Sequence, residues 1–161
     1  MIGRFVVWAP ARSQGLSLIE VLMAVTLVGI IAAVAIPSFT NYMQDAHSTV
    51  TRERMSVIKT AILGDARIVV QGQYAKPGFL AQVGKVPDDL EDLVTQGAYD
   101  AYNVYTKVGW NGPYVSNVAG WDEDAWGEQF NYSNTARTLR SKGPNKTDNS
   151  GASDDIQISL Y

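Results

Sequence analysis

The chain has 161 residues, of which 46% are apolar, with 13 Lys and Arg against 16 Asp and Glu, one His and no Cys. This length is typical of a single domain. The formal charge of −3 excludes a general nucleic-acid binder, which needs clustered basic residues for phosphate groups. The lack of cysteine excludes a disulfide scaffold, a zinc-thiolate site, an iron-sulfur cluster and a thiol nucleophile.

Residues 16–36 form a strongly apolar segment, in which 17 of 21 residues are hydrophobic. As a helix this segment is about 31 Å long, which is close to the hydrocarbon thickness of a bilayer. A secretory signal peptide is the competing interpretation, but its apolar core is typically only about 7 to 15 residues long and leads into a small-residue cleavage site. The segment therefore predicts a single membrane-spanning helix.

A carboxylate, Glu20, lies near the start of this apolar segment. An acid at mid-membrane costs about 3 kcal/mol, so an intramembrane carboxylate usually has a partner and a function. The alternative is that Glu20 lies at the depth of the lipid headgroups. The residue alone does not separate these two interpretations.

The residues around Glu20 form the motif GLSLIE, from Gly15 to Glu20, between a short basic leader and the apolar helix. This motif resembles the cleavage and methylation motif of type IV prepilins and type II secretion pseudopilins. The resemblance implies that a leader, residues 1–15, is removed between Gly15 and Leu16 and that Leu16 is then N-methylated. Leu16 stands where the family more commonly has Phe. The implied fold is pilin-like and α+β, with a long N-terminal helix and a small C-terminal antiparallel sheet.

The resemblance also implies a role for Glu20 in assembly. Cleavage places an α-ammonium group at the membrane edge, and Glu20 of one subunit can approach the ammonium group of the next subunit in a filament. Such a pair sets the register of neighbouring subunits more than it adds stability, because desolvation offsets most of the Coulomb attraction. Pro37 removes one helical hydrogen bond and is expected to kink the helix just past the spanning part.

After Pro37 the pattern becomes amphipathic and predicts a helix that continues to about residue 70, near Gly72. Residues 16–36 are its transmembrane and assembly part, residues 37–70 pack on the head, and residues 71–161 form the α+β head. The apolar stripe that is predicted to be buried consists of Met43, Ala46, Val50, Val57 and Ala61, with Met55, Ile58 and Ile62 beside it. Arg54 interrupts this stripe.

The head is predicted to contain a loop at 73–86, a short helix at Pro87–Gly97, and a series of short strands. Nine aromatic residues between Tyr99 and Tyr132 predict a ring-rich core, with a sugar-binding surface as the alternative. The GPY and DAWGEQFNY segments resemble the head of the major pseudopilin, the protein G type. The predicted strands cover residues 109–115, 124–133, 135–143 and 155–161.

The loop Ser141–Asp155 is rich in turn-forming residues and oxygen donors. Calcium takes six to eight oxygen ligands, and the spacing here does not fit the EF-hand pattern. Major pseudopilins bind calcium in a corresponding loop, so the resemblance implies a calcium site. A solvated turn is the alternative. The candidate ligands that the resemblance implies are Asn145, Asp148, Ser153, Asp154 and Asp155, with the carbonyl groups of Leu139 and Ser141 as further donors.

The resemblance implies a structural, non-enzymatic subunit of a type II secretion pseudopilus in the bacterial inner membrane, with its head in the periplasm. The implied partners are further copies of the chain, a prepilin peptidase, an inner-membrane assembly platform with its ATPase, and minor pseudopilins. A type IV pilin for adhesion, twitching or DNA uptake is the first alternative, and the lack of a Cys pair favours the pseudopilin. A membrane-tethered module that binds a sugar or peptide is the second. His47, the only histidine, lies in no catalytic motif.

Overall fold

A computed structural model describes residues 15–65, 67, 69–70, 72–74 and 76–161. These residues form helix α1 (Leu18–Leu63), strands β1 (Val69–Val70) and β2 (Gln73–Tyr74), helix α2 (Phe79–Val83), a 3-10 helix (Leu90–Leu93), and strands β3 (Asn131–Ser133), β4 (Thr138–Ser141) and β5 (Ile156–Ser159). The predicted α+β class, a long N-terminal helix with a small antiparallel sheet, is confirmed. The predicted leader lies outside the described residues except for Gly15.

The chain divides into two units, Met1–Asn41 and Tyr42–Tyr161. In the first unit, the described part of α1 is apolar and almost entirely exposed. Its most apolar window has a mean hydropathy of 2.6, and α1 is the one helix among the described residues that is long and apolar enough to cross a membrane. The predicted spanning segment thus forms a continuous helix whose large apolar side chains are exposed in the described part of this unit.

Helix α1 ends at Leu63, earlier than the predicted end near residue 70. Gly64 follows with a φ of 93° and donates its N–H to the carbonyl oxygen of Thr60 at 2.8 Å. This left-handed conformation after the last helical residue is the usual helix stop, and glycine adopts it without steric cost. Gly72, the glycine that the prediction used, instead has a φ of 80° in the turn between β1 and β2.

The segment between α1 and the sheet contains short elements that the sequence predicted only in part. Strands β1 and β2 pair antiparallel, with Val70 opposite Gln73. Helix α2 lies inside the predicted loop 73–86, and the predicted helix Pro87–Gly97 is a single 3-10 turn at Leu90–Leu93. Asp89 caps that turn by accepting a hydrogen bond from the N–H of Glu91, which is the arrangement expected for Asp at a helix start.

The C-terminal sheet has the order β3-β4-β5 and is antiparallel throughout. Tyr132 lies opposite Leu139, and Leu139 lies opposite Ile158, so these residues share one register across the sheet. The last three predicted strand regions each contain a strand, all shorter than predicted. The prediction of a strand at 109–115 is wrong, because this stretch consists of bends and irregular backbone with one isolated bridge, between Trp110 and Ala101.

One face of α1 packs against the rest of the second unit and forms the core with α2, the 3-10 helix and the sheet. The buried apolar residues are Met55, Ile58, Ala61, Ile62, Phe79, Leu90, Leu93, Val115, Phe130, Leu139, Ile156 and Leu160. The prediction that the stripe from Met43 to Ala61 is buried is therefore wrong in part. Met43, Val50 and Val57 remain 40%, 40% and 54% exposed. The core instead uses the neighbouring face of the helix, centred on Met55, Ile58 and Ile62.

We expect truncation on the two faces of α1 to differ sharply. Ile58 is 1% exposed, so Ile58→Ala leaves a cavity and lowers the free energy of unfolding by about 2 to 5 kcal/mol. Val57→Ala, one residue earlier and on the exposed face, changes it by less than about 0.5 kcal/mol. Denaturant titration of the full chain in detergent measures both values, and equal losses would contradict the assignment of the core face.

Candidate functional sites

The amino-terminal motif meets the start of α1 at Ser17. The carbonyl oxygen of Ser17 accepts hydrogen bonds from the N–H groups of Glu20 and Val21, at 3.0 and 3.2 Å. Glu20 therefore lies in the first turn of α1, where a carboxylate interacts favourably with the helix dipole. Gly15 and Leu16, the residues flanking the predicted cleavage site, precede the helix and are exposed.

Glu20 is exposed and is not part of any ion pair formed by residues 15–161 where the structure describes them. Its neighbours along the helix are apolar side chains that are also exposed, including Ile19 and Val21. A carboxylate in this setting is stable in water but costly in hydrocarbon unless a counter-charge approaches it. Within the described chain, the Glu20 carboxylate is therefore available to a cation from another source.

The helix continues through Pro37. Proline has no N–H, so the carbonyl group of Ala33 lacks its usual helical donor. Two hydroxyl groups bond to nearby carbonyl oxygens, Ser38 to Val34 at 3.2 Å and Thr40 to Pro37 at 2.9 Å. Hydroxyl bonds of this kind often accompany bends in helices. The kink at Pro37 stays a prediction.

A polar joint links α1 to the loop before β3, and sequence reasoning missed it. The Arg54 guanidinium donates to the carbonyl oxygens of Glu123 and Asp124, at 2.9 and 3.1 Å. The hydroxyl of Thr51, which is fully buried, accepts the N–H of Ala125 at 3.1 Å. From the sequence alone, Arg54 only interrupts an apolar stripe. The signal available in the sequence was a polar pair, Thr51 and Arg54, three residues apart on one helix face.

Asp124 continues this joint into the sheet. Its side chain is 2% exposed, and one carboxylate oxygen accepts the N–H groups of Trp126 and Glu128, each at 2.9 Å. The other oxygen accepts the hydroxyl of Ser141 at the end of β4. Both oxygens of this buried carboxylate thus accept hydrogen bonds, which offset part of the cost of burying it. Ser141, a candidate calcium ligand, has its hydroxyl committed to Asp124.

The loop that follows β4 is held by its own acidic side chains. Asp154 accepts hydrogen bonds from the backbone N–H and the side-chain amide of Asn145, at 3.0 and 2.6 Å. Burial raises the pKa of Asp154, but the hydrogen bonds, led by that from the N–H of Asn145, outweigh it and leave the pKa below its ordinary value. Asp155 accepts the N–H groups of Asn149 and Gly151 through one oxygen, at 2.9 and 2.8 Å.

Arg140 engages another of the candidate ligands. Its guanidinium donates to Asp148 at 3.0 Å, and the same carboxylate oxygen accepts the amide of Asn131 at 2.7 Å. Leu139 is buried in β4, and Ser153 has a φ of 60°. In the described ranges, no three Asp, Glu or His side chains come together as a group able to hold a metal ion. The remaining buried oxygen of Asp155, Oδ1, has no hydrogen-bond partner.

The aromatic residues mostly build the interior of the head, as predicted. The Phe79 ring packs edge-on against Tyr99 and Tyr114, at centroid distances of 5.2 and 5.5 Å, and Tyr114 packs edge-on against Trp110 at 5.9 Å. Polar atoms of this cluster also form hydrogen bonds within the head: the indole N–H of Trp110 donates to the carbonyl oxygen of Asp92 at 2.7 Å. The His47 and Trp126 rings form a separate tilted pair, with their centroids 5.8 Å apart.

Comparison with known proteins agrees with the motif at the start of α1. Residues 10–36 match the family model for the prokaryotic N-terminal methylation motif. The chain is 28% identical over 121 residues to Fimbrial protein Q of Moraxella bovis, an alignment that covers 73% of this chain and 71% of the relative. No solved structure matches the chain. Together with the fold, these findings support a type IV pilin-like chain with a single-pass membrane anchor.

We expect the Tyr132 hydroxyl to make stability fall at alkaline pH. Burial raises the pKa of Tyr132 to about 12, and the hydroxyl donates to the carbonyl oxygen of Pro87 at 2.7 Å. Above pH 10 the unfolded chain loses this proton while the folded chain keeps it, so stability decreases as pH rises toward 12. Tyr132→Phe should cost about 0.5 to 1.5 kcal/mol at pH 7.

The difference between wild type and Tyr132→Phe should then narrow between pH 10 and 12, which denaturant titrations at several pH values will measure. Tyr105, whose side chain is 93% exposed, provides the matched control, because Tyr105→Phe changes little in the folded state. A constant difference across this range would contradict the buried environment of Tyr132.

Proposed function

We propose that this chain is a structural, non-enzymatic subunit of a type II secretion pseudopilus, a filament that drives protein export. One observation carries the proposal: the methylation motif places Glu20 in the first turn of a 46-residue helix whose N-terminal half is apolar and exposed. A soluble protein does not expose such a surface to water. A bilayer covers it before assembly, and the same helices of other copies cover it in a filament.

Processing under this proposal begins at the motif. A prepilin peptidase removes residues 1–15 by cutting between Gly15 and Leu16, and it methylates the new amino terminus at Leu16. The chain then lies in the inner membrane with its head in the periplasm. An assembly platform, driven by an ATPase, extracts subunits into the filament, and minor pseudopilins complete it.

Glu20 selects the register of assembly by its electrostatics. In hydrocarbon, the carboxylate of an incoming subunit is stabilised only where it meets the α-ammonium group of Leu16 on a neighbour. Loss of one partner of a buried ion pair costs about 3 to 5 kcal/mol. A subunit that enters out of step therefore incurs this penalty, whereas a subunit in step does not.

A type IV pilin for adhesion, twitching or DNA uptake is the second candidate. The similarity to a fimbrial protein supports it as much as the pseudopilin. The sequence contains no cysteine, which favours the pseudopilin. Many type IV pilins close a C-terminal loop with a disulfide, which this sequence cannot form. A membrane-tethered module for a sugar or peptide is the third candidate, and it would retain residues 1–15.

We expect Glu20→Ala to separate processing from assembly. In a bacterial host that supplies the peptidase and the platform, the variant should be cut before Leu16 and methylated like wild type. It should form at least about tenfold less fibre, because an in-step subunit no longer gains an ion pair over an out-of-step one. Mass spectrometry of the amino terminus measures the first property, and sheared-fibre yield measures the second.

Asp100→Ala is the matched control, because it removes an exposed acid that lies in the head outside helix α1. A wild-type chain that keeps residues 1–15 and stays monomeric would overturn the filament proposal. Normal fibre yield from Glu20→Ala would leave the filament in place and overturn the role given to Glu20. Dependence of fibre formation on a secretin-linked or a pilus-linked platform separates the pseudopilin from the pilin.

We also propose that the loop from Ser141 to Asp155 binds calcium. The loop offers a set of oxygen donors, which suits a hard cation. The observation in favour is that Oδ1 of Asp155 is buried without a hydrogen-bond partner. Asp154 and Asp155 are central in this proposal, with Asn145, Asp148, Ser153 and the carbonyl groups of Leu139 and Ser141 as further donors. The ion pair with Arg140 and the bonds to Asn145 must exchange for metal contacts on binding.

We expect calcium to stabilise the head of the full chain in detergent. At a hundredfold excess over its Kd, the ion adds about 2.7 kcal/mol to the free energy of unfolding. Asp155→Asn should abolish this gain, while Asp88→Asn, an exposed acid outside the loop, should retain it. Thermal unfolding with calcium, magnesium or a chelator measures the effect, and no response to millimolar calcium would contradict the site.

A further inference from the structure

The head contains a groove of about 840 Å³ beside the end of α1. This volume lies within the usual range for ligand pockets, about 300 to 1,000 Å³. Glu53 and Val57 of α1 line the groove together with Lys76, Gln82 and Tyr102, which come from later parts of the chain. Polar and apolar side chains thus face one space that the packing of the head does not fill.

Gln82 of α2 gives this groove a fixed hydrogen-bond donor. The residue is only 5% exposed, and its Oε1 accepts the hydroxyl of Tyr114 at 2.7 Å. The Tyr114 hydroxyl in turn accepts the N–H of Asn111 at 3.0 Å, so the amide is held in one orientation. Among the residues that the structure describes, the Nε2 group of Gln82 has no hydrogen-bond partner. Because buried amides are normally satisfied, Nε2 is available to an acceptor atom that enters the groove.

Tyr102 provides an aromatic ring in the same groove. The residue is half-buried, and its N–H donates to the carbonyl oxygen of Trp110 at 3.1 Å. The N–H of Gly109, next to Trp110, donates to the carbonyl oxygen of Gln82 at 2.9 Å. These bonds fasten the Tyr102 loop to α2. The ring and the Gln82 amide are therefore positioned before any ligand binds, which lowers the entropic cost of binding.

The charges in the groove favour a ligand without net charge. Asp65 is already paired with Arg67, whose Nε lies 2.9 Å from the Asp65 carboxylate. Within the described part of the chain, Glu53 and Lys76 form no ion pair. The groove therefore offers one free acid and one free base, whose formal charges cancel. A neutral ligand that both donates and accepts hydrogen bonds suits this pair.

A saccharide has the groups that this groove can bind. Each sugar hydroxyl both donates and accepts hydrogen bonds, so neighbouring hydroxyls can accept from Gln82 and donate to Glu53. The C–H groups of a sugar ring carry a small positive charge and pack against the negative face of an aromatic ring such as that of Tyr102.

A peptide is the competing ligand, and the groove suits it less well. Peptides bind by adding a strand to a sheet edge, by placing an amphipathic helix in an apolar groove, or by docking a proline-rich segment on aromatic rings. Helix α1 contributes one wall of this groove, and a helix offers no free edge for strand addition. Glu53, Lys76 and Gln82 make the lining too polar for an apolar helix face. A proline-rich segment has few N–H groups to donate to Glu53.

We infer that the groove lined by Glu53, Gln82 and Tyr102 is a binding site for a short neutral saccharide. Gln82 donates to a sugar oxygen, Glu53 accepts from a hydroxyl, and the Tyr102 ring packs against the sugar ring. The site lies within one head and does not depend on how copies assemble. It therefore goes beyond the proposed filament and can be tested separately from it.

The test measures binding of four neutral disaccharides, namely lactose, maltose, cellobiose and diacetylchitobiose. The full chain is kept in a detergent without a sugar headgroup, such as lauryldimethylamine oxide, so that the detergent does not compete. Saturation-transfer difference NMR detects binding and shows which sugar protons lie against the protein. We expect at least one disaccharide to bind with a millimolar Kd, with the strongest transfer to the C–H protons of one ring face.

Two variants locate the site. Gln82→Glu keeps an oxygen that accepts the Tyr114 hydroxyl but replaces the free donor, and Tyr102→Ala removes the ring. Each should raise the Kd at least about tenfold. Tyr105→Ala is the matched control, because Tyr105 is 93% exposed in the same loop and does not line the groove. Thermal unfolding shows whether each variant is folded, and if Gln82→Glu is not, Tyr102→Ala decides the matter.

Three results would overturn the inference. The first is that none of the four disaccharides binds at tens of millimolar. The second is that a disaccharide binds Tyr102→Ala as tightly as it binds the wild-type chain. The third is that a short proline-rich peptide binds in a Tyr102-dependent way while the sugars do not. None of these results bears on leader cleavage or fibre yield, so the filament proposal and this site can fail independently.

Discussion

The central constraint on this molecule is that one helix must satisfy two kinds of surroundings along its length. The first half of α1 has almost no buried side chain within its unit, so its apolar surface needs lipid or other helices. The second half packs one face onto the core of the head through Met55, Ile58 and Ile62. Under the proposed function, Glu20 makes the first half selective, because a carboxylate in hydrocarbon is stable only in arrangements that supply a counter-charge. The sheet and the loops stabilise and shape the other end of this helix.

Much of this arrangement could be predicted because it depends on strong local signals. A long apolar run without charges predicts a spanning helix whatever follows it, and the strands around Leu139 and Ile156 lie within segments of alternating pattern. The predicted end of α1 lies several residues beyond the observed one, because Gly64 and Gly72 can both adopt the positive φ that ends a helix. Only the start of β1 five residues after Gly64 shows which of them ends the helix.

Other features could not be read from the sequence because they depend on long-range contacts. Apolar residues on two adjacent faces of α1 fit the helical period equally well, and the choice of the Ile58 face over the Val57 face is made by the shape of the head that packs on it. Arg54 likewise acquires its role from carbonyl groups 69 and 70 residues away. For the loop Ser141–Asp155, the sequence suggests the candidate calcium ligands. The hydrogen-bond partners of these residues, such as Arg140 for Asp148, depend on the register of the strands.

The buried carboxylate of Asp124 has a consequence for how the head opens. It bonds to the turn at Trp126 and Glu128 and to Ser141 of β4, and its own carbonyl group receives Arg54 of α1. Separating the sheet from the helix therefore breaks the two hydrogen bonds from Arg54 and the bond between Ala125 and Thr51, so partial opening loses several buried hydrogen bonds at once. Backbone amides in the joint should exchange with solvent at nearly the rate of the innermost core. In the proposed filament, this joint would resist separation of the sheet from α1 when the fibre is pulled along its axis.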